Sequence, residues 1–284
     1  MKKINFILSV ILGLTCMSCR TNEITFPMST LDVNKFSEIR VLNAIPVTGN
    51  SDTLLINGTN YSSVSTAVGS FYPGNSPKYF AIPFGIANIS LRFLAKTTPP
   101  AVAAFNYTQS MTVAKGKWSA YITNASQSPV LLQDAENVPA TDAWADTVCF
   151  VKVANFFFKA DGVTPYGKLT LKAKKNNSTV WETVASNIDF GTQSNDYYLY
   201  KLKNTGNVKP WSGIESNISL AIFDSNGVQY QWFTTPTTSV KGAFSSDKTQ
   251  SFGKGRAYVI YITGKEGTTN NTDQFIRLGS YNPL

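Results

Sequence analysis

The residue types that most often do chemistry are thinly spread in this chain. Histidine is absent, which removes Ser-His-Asp and Cys-His catalysis and every histidine-based metal site. Cysteine occurs at Cys16, Cys19 and Cys149. Cys149 lies in the apolar run Val148-Cys149-Phe150-Val151, where a single cysteine behaves as a small buried hydrophobe. Gly253-Lys254-Gly255 resembles part of a phosphate-cradling loop. Tyr258, however, stands where a dinucleotide fingerprint needs its third glycine, and no helical pattern follows, so the stretch reads as a turn before a strand. A glycosidase sets two carboxylates either side of the sugar bond. Asp and Glu total only 17 and fall mostly in turn-like stretches. Asp142 and Asp146 offer two carboxylates where calcium takes about six to eight oxygens. These readings predict no catalytic centre, no metal and no cofactor. What remains is aromatic: Trp181, Tyr197, Tyr198, Tyr200 and Trp211 crowd one stretch. Exposed rings of this kind stack on sugars or anchor protein partners. Trp181, Tyr198 and Trp211 are the expected ligand contacts. Core packing is the competing reading, because a strand over Tyr197 to Leu202 hides one face.

One covalent modification is expected. Met1-Lys2-Lys3 precedes an apolar stretch, Phe6 to Leu14, broken only by Ser9 and Gly13. The stretch is too short for a membrane span, which needs about 20 apolar residues, and suits the core of a secretory signal peptide. Ser18-Cys19 then resembles the bacterial lipobox, where the leader is cut and the cysteine receives a diacylglyceryl group, although Cys16 stands where that motif usually has leucine. The expectation is a signal peptide over 1–18, lipid attachment at Cys19 and a tether over 19–36, where Arg20 to Glu23, Pro27, Ser29 and Thr30 break any periodicity. Buried acyl chains contribute about 0.8 kcal/mol per methylene, and two or more give stable anchoring. The expected location is the cell envelope, at the outer membrane, with the surface and periplasmic faces both open.

Charge and thiol count narrow the partners. The formal charge is +8, and loss of Lys2 and Lys3 takes it to +6. The basic residues are scattered, whereas nucleic-acid binding needs a clustered basic face, so no nucleic-acid partner is expected. After cleavage Cys149 is the remaining free thiol, which rules out a disulfide framework within the monomer. Folding must rest on apolar cores, and the 43% apolar composition is enough for that.

The elements that must position these residues are strands. Ile89, Leu91 and Phe93 alternate with Ser90 and Arg92; Leu169, Leu171 and Ala173 alternate with Lys168, Thr170 and Lys172. Trp118, Ala120 and Ile122 alternate with Ser119, Tyr121 and Thr123. Period two predicts strands with one buried face, and no segment sustains a helical period. Asp224-Ser225-Asn226-Gly227 between the apolar runs Ile218 to Phe223 and Val228 to Phe233 predicts a hairpin.

The chain also repeats itself. Ile39 to Asn43 matches Val151 to Asn155; Asn88-Ile89-Ser90-Leu91 recurs as Asn217-Ile218-Ser219-Leu220; Lys115-Gly116-Lys117 leading to Tyr121-Ile122-Thr123 recurs as Lys254-Gly255-Arg256 leading to Tyr261-Ile262-Thr263. The order is preserved, which predicts two domains, 37–140 and 147–284, joined by a short link with restricted motion. Arg40 to Asn88 spans 48 positions and Lys152 to Asn217 spans 65; the later spacing grows from 33 to 44. The second copy therefore has enlarged loops near 174–210 and 234–253, where binding residues concentrate.

The first copy resembles bacterial domain-of-unknown-function family 4397. The resemblance lies in Arg40-Val41-Leu42-Asn43-Ala44-Ile45-Pro46, Asp52 to Gly58, Tyr79-Phe80-Ala81-Ile82-Pro83-Phe84-Gly85 and Gly116 to Tyr121, and covers 38–137. It implies an exported, Bacteroidetes-type protein with immunoglobulin-like β-sandwiches; the family carries no assigned activity and supplies no site residues. The second copy departs from it, lacking the proline after the Asn and the Asn-Gly that ends the second strand. Asp52-Thr53-Leu54 and Asp146-Thr147-Val148 are also similar to the short O-glycosylation acceptor of such proteins. The reading is an all-β, non-catalytic, lipid-anchored envelope protein with an unnamed protein or glycan partner. The alternatives are glycan capture for a polysaccharide-utilisation system and, behind that, a carboxylate-based hydrolase.

Overall fold

The computed structural model describes residues 35–62, 68–72, 79–97, 101–134, 139, 148–175, 178–201, 214–229, 232–233, 244–245, 248–253, 256–266 and 277–281. Cys16, Cys19, the 19–34 part of the tether, Asp142, Asp146, Thr147, Lys254 and Trp211 lie outside them. The described elements are all strands. Alternation explains why: β6 (Gly85–Phe93) buries Ala87, Ile89, Leu91 and Phe93 while Asn88 and Arg92 face water, and β11 (Leu169–Lys174) buries Leu169, Leu171 and Ala173.

The first half contributes β1 (Phe36–Asn43), β2 (Ser51–Ile56), β3 (Thr59–Ser62), β4 (Phe71–Tyr72), β5 (Phe80–Pro83), β6, β7 (Phe105–Val113), β8 (Lys117–Ile122) and β9 (Val130–Gln133). They form a sheet of order β3-β2-β6-β7 and a second of order β4-β1-β8-β9, with β5 also on β1. The second half contributes β10 (Val148–Phe158), β11, β12 (Glu182–Ile188), β13 (Thr192–Gln193), β14 (Tyr198–Lys201), β15 (Ile214–Phe223), β16 (Trp232–Phe233), β17 (Phe244–Ser245), β18 (Lys248–Gly253), β19 (Ala257–Lys265) and β20 (Arg277–Tyr281). Their sheets run β12-β11-β15-β18 and β13-β10-β19-β20, with β14 also on β10. The strand order is the same twice, and β16 and β17 form a separate ribbon inside the enlarged second copy. Among the described strands, none pairs across the two halves.

The repeat holds at the level of register. Each half has one parallel pairing, β1 with β8 and β10 with β19. Leu42 lies opposite Tyr121, and its counterpart Ala154 lies opposite Tyr261. Buried Asn43 accepts the Ile45 amide at 3.0 Å, and buried Asn155 accepts the Phe157 amide at 3.0 Å. Each carboxamide satisfies the backbone donor two residues on, which an apolar side chain could not do.

Asn34–Leu284 is one compact unit with four apolar clusters among its described residues, and three of them build its layers. One lies between the two sheets of the first half and includes Val41, Leu54, Ile89, Phe93 and Ile122. Another lies between the sheets of the second half and includes Val153, Leu171, Leu220 and Ile260. The third joins the halves: Leu42, Phe71 and Tyr121 meet Ala154, Phe156, Val259 and Tyr261. Neighbours along β1, β8, β10 and β19 therefore point into different cores, and the four sheets stack outer, inner, inner, outer.

Two sequence expectations change here. Ser119 and Tyr121 were expected on a solvent face of β8, but both are fully buried. The inner sheet is covered on both sides, as sheets built around a parallel pair commonly are. The Asp224–Gly227 turn forms, with the Asp224 amide on the Val228 carbonyl at 3.0 Å, but the predicted hairpin ladder reduces to the single bridge Phe223 to Gln229 among the described residues. Both edges of β15 are already taken, by β11 and β18, so the returning chain has no edge to extend along.

Candidate functional site

The sequence-predicted aromatics come together in part. Trp181 immediately precedes β12, whose pairing sets Glu182 opposite Ala173. Trp181 is half-buried against the second core and meets Phe223 edge-on, with ring centroids 6.1 Å apart. Tyr198, on β14 of the inner sheet, is half-buried against the same core and donates its hydroxyl to the Glu182 carboxylate at 3.1 Å. Burial and then Glu182 push its phenol above the ordinary value. Trp181, Glu182 and Tyr198 thus meet where the outer and inner sheets of the second half adjoin. Each ring is packed on the core and keeps an exposed part.

Two lysines complete the patch. Period two along β11 turns Lys172 and Lys174 away from Leu171 and Ala173. The Lys174 ammonium sits 4.7 Å from the Trp181 ring centroid, and the Lys172 ammonium 4.3 Å from that of Phe223. A cation over an aromatic face at a partly exposed site contributes about 0.5–1 kcal/mol. The pairing holds two long side chains in place and fixes positive charge beside ring surface. Such a patch can take an anionic group against the ammoniums with apolar or sugar-like surface beside it. Sequence reading missed Lys172, Lys174 and Phe223. The signal was present in the alternation of β11, but which strand lay beside it depended on the Thr170 to Phe223 register.

A second polar cluster is buried. Arg40 and Asp134 are both fully buried, with Nη2 3.2 Å from Oδ2. The Ser119 hydroxyl donates to Asp134 and receives the Arg40 Nε–H, each at 2.8 Å. Tyr79 donates to Asp134 Oδ2 at 2.9 Å, and Tyr197, from the other half, to the Asp134 carbonyl at 3.0 Å. Lys152, the repeat counterpart of Arg40, lies 5.4 Å from the Tyr197 ring centroid, as Arg40 lies 5.1 Å from that of Tyr79. Tyr197 ties this cluster to the second half through that one hydrogen bond, and removing Arg40 or Asp134 would strand a buried charge.

Cys149 is fully buried within β10. Thr53 is half-buried and donates to Asp52 at 3.1 Å, and Asp52 is ion-paired with Arg92, which holds its carboxyl below the usual value. Among the described residues, no three His, Cys, Asp or Glu side chains gather where they could share a metal ion. No family model matches the chain, and no curated protein matches it.

Proposed function

We propose that this chain is a non-catalytic cell-envelope lipoprotein that binds a partner through its second β-sandwich while lipid on Cys19 holds it at the outer membrane. The single observation that carries the reading is the contrast between its two polar clusters. The Arg40–Asp134 ion pair is fully buried within the first half, whereas the Lys172, Lys174, Trp181 and Phe223 patch is carried on a paired sheet and partly open. The signal-like leader and Ser18-Cys19 supply the anchor. The two sandwiches are immunoglobulin-like in layering, and membership of family 4397 is part of the same proposal.

A second reading is favoured by the patch itself. Lysine ammoniums beside an indole suit an acidic polysaccharide, which makes the protein a glycan-capturing partner of a polysaccharide-utilisation system. The two readings separate on a glycan array run beside a pull-down from envelope extract. Acidic-glycan binding that falls at least about tenfold in Trp181→Ala and Lys174→Ala favours capture. A protein partner lost in the same variants, with an empty array, favours adhesion or assembly. Failure of Cys19→Ala to abolish incorporation of a labelled fatty acid removes the anchor.

A further inference from the structure

The outer sheet of the first half ends on β7, and the sequence of that strand is unusual for an edge. Phe105-Asn106-Tyr107-Thr108-Gln109-Ser110-Met111-Thr112-Val113 runs nine residues without a charge, proline or glycine. It pairs in unbroken register with β6 from Gly85–Val113 to Phe93–Phe105, with no bulge. Among the described residues, no strand lies on its other side and no backbone hydrogen bond reaches it from a turn or loop. Exposed edges are normally blunted by lysine, proline, a bulge or shortness, because their free amides and carbonyls recruit another strand.

The second half provides an internal control. Its strand in the same position, β18, is six residues long, begins with Lys248 and ends with Gly253. Its ladder with β15 shifts register between Glu215 and Ile218. The two edges descend from one pattern: Thr108 and Gln109 lie opposite Ser90 and Ile89, and Thr249 and Gln250 lie opposite Ser219 and Ile218. One edge carries the usual defences and the other carries none.

We propose that β7 is a self-association edge: two copies of the chain pair their β7 strands antiparallel about a two-fold axis through Gln109, joining two four-stranded outer sheets into one of eight. The occupant follows from the strand's own symmetry. Read from either end, β7 pairs like with like. Phe105 meets the copy's Val113, Tyr107 meets Met111, Asn106 meets Thr112, and Thr108 meets Ser110. The inward set, Phe105, Tyr107, Met111 and Val113 with Gln109 on the axis, stays on the core side and the exposed Asn, Thr and Ser set stays on the outer face, so the pleat matches across the axis. A two-fold interface sets a charge near its own copy, and β7 has none to repel. Edge pairing alone buries less surface than a standard interface, so the dimer dissociates in the micromolar range, about 1–100 μM.

The test uses the purified full chain in sedimentation velocity across about 1–200 μM. The expected result is a reversible monomer–dimer equilibrium. The double variant Thr108→Lys/Ser110→Lys adds exposed charges that face one another across the axis and weakens the dimer at least about tenfold. Mixing it with Thr108→Glu/Ser110→Glu restores a heterodimer. Hydrogen exchange on the unmodified chain needs no variant: rising concentration protects β7 amides and leaves β18 unchanged. A chain that stays monomeric at the highest concentration, a dimer undiminished by the lysines, or concentration-dependent protection away from β7 overturns the proposal.

Discussion

Half-buried Tyr79 donates its hydroxyl to the Asp134 carboxylate, and buried Tyr197 and Tyr107 donate theirs to the Asp134 carbonyl and, at 2.8 Å, to the Gln127 carbonyl. Burial pushes all three well above the ordinary value of 10.0, and Asp134 adds to it at Tyr79 and Tyr197. A tyrosine whose folded value is raised stays neutral where the unfolded chain has ionised. Its contribution is therefore fully present below pH 10 and drains as pH rises from there towards the folded value. Denaturant stability is expected to fall between about pH 9.5 and pH 11.5. In a 295 nm absorbance titration, these phenols are expected to ionise only together with loss of near-ultraviolet dichroism, while exposed tyrosines ionise near pH 10. If all 13 tyrosines titrated as one group with the fold intact, the buried Asp134 junction would not exist as described.

Turns decide how the elements meet, and two glycines separate local conformation from packing. Asn57-Gly58 closes the β2–β3 hairpin with both residues at positive φ, 50° and 79°, and a Cβ on Gly58 would touch nothing. Gly162 has φ of 70° in the turn after β10, but a Cβ there would lie 2.4 Å from Val47 of the first half. Gly58→Ala is expected to cost about 1 kcal/mol, from conformation alone. Gly162→Ala should cost about 2–4 kcal/mol in urea unfolding, and adding Val47→Ala should recover part of it. Equal costs at the two glycines would mean the turn does not reach the other half. Strands and repeat were legible in sequence because period two and ordered anchors are local signals. One anchor is not legible in sequence, Thr108-Gln109-Ser110 recurring as Thr249-Gln250-Ser251, because the spacing to the following Lys-Gly differs between copies and only the shared register with β6 and β15 aligns them.

At the scale of the whole molecule, the junction between the inner sheets was the least legible feature. Tyr121 alternates with Ala120 and Ile122 and so reads as solvent-facing, yet it stacks on Phe156 of the other half with centroids 4.0 Å apart. Alternation reports which residues share a face and is silent on what covers it. Trp181 and Tyr198 were legible as aromatics in an enlarged loop, whereas the lysines over Trp181 and Phe223 needed the strand register. Stacked inner sheets make a specific energetic claim. Phe156 is fully buried, so Phe156→Ala is expected to cost about 3–5 kcal/mol. The loss should appear in both halves, because Tyr121 and Phe71 lose a wall of their own cluster. Calorimetry of the unaltered protein is expected to give one cooperative transition. Hydrogen exchange in Phe156→Ala should expose the Leu42 and Ile122 amides of the first half as well as those of β10 and β19. A Tyr121→Ala/Phe156→Ala cycle should return a coupling of about 0.5–1.5 kcal/mol. Two separate transitions, with first-half protection untouched by the second-half mutation, would show two sandwiches that merely share a chain, and the Tyr121–Phe156 stack would then couple nothing.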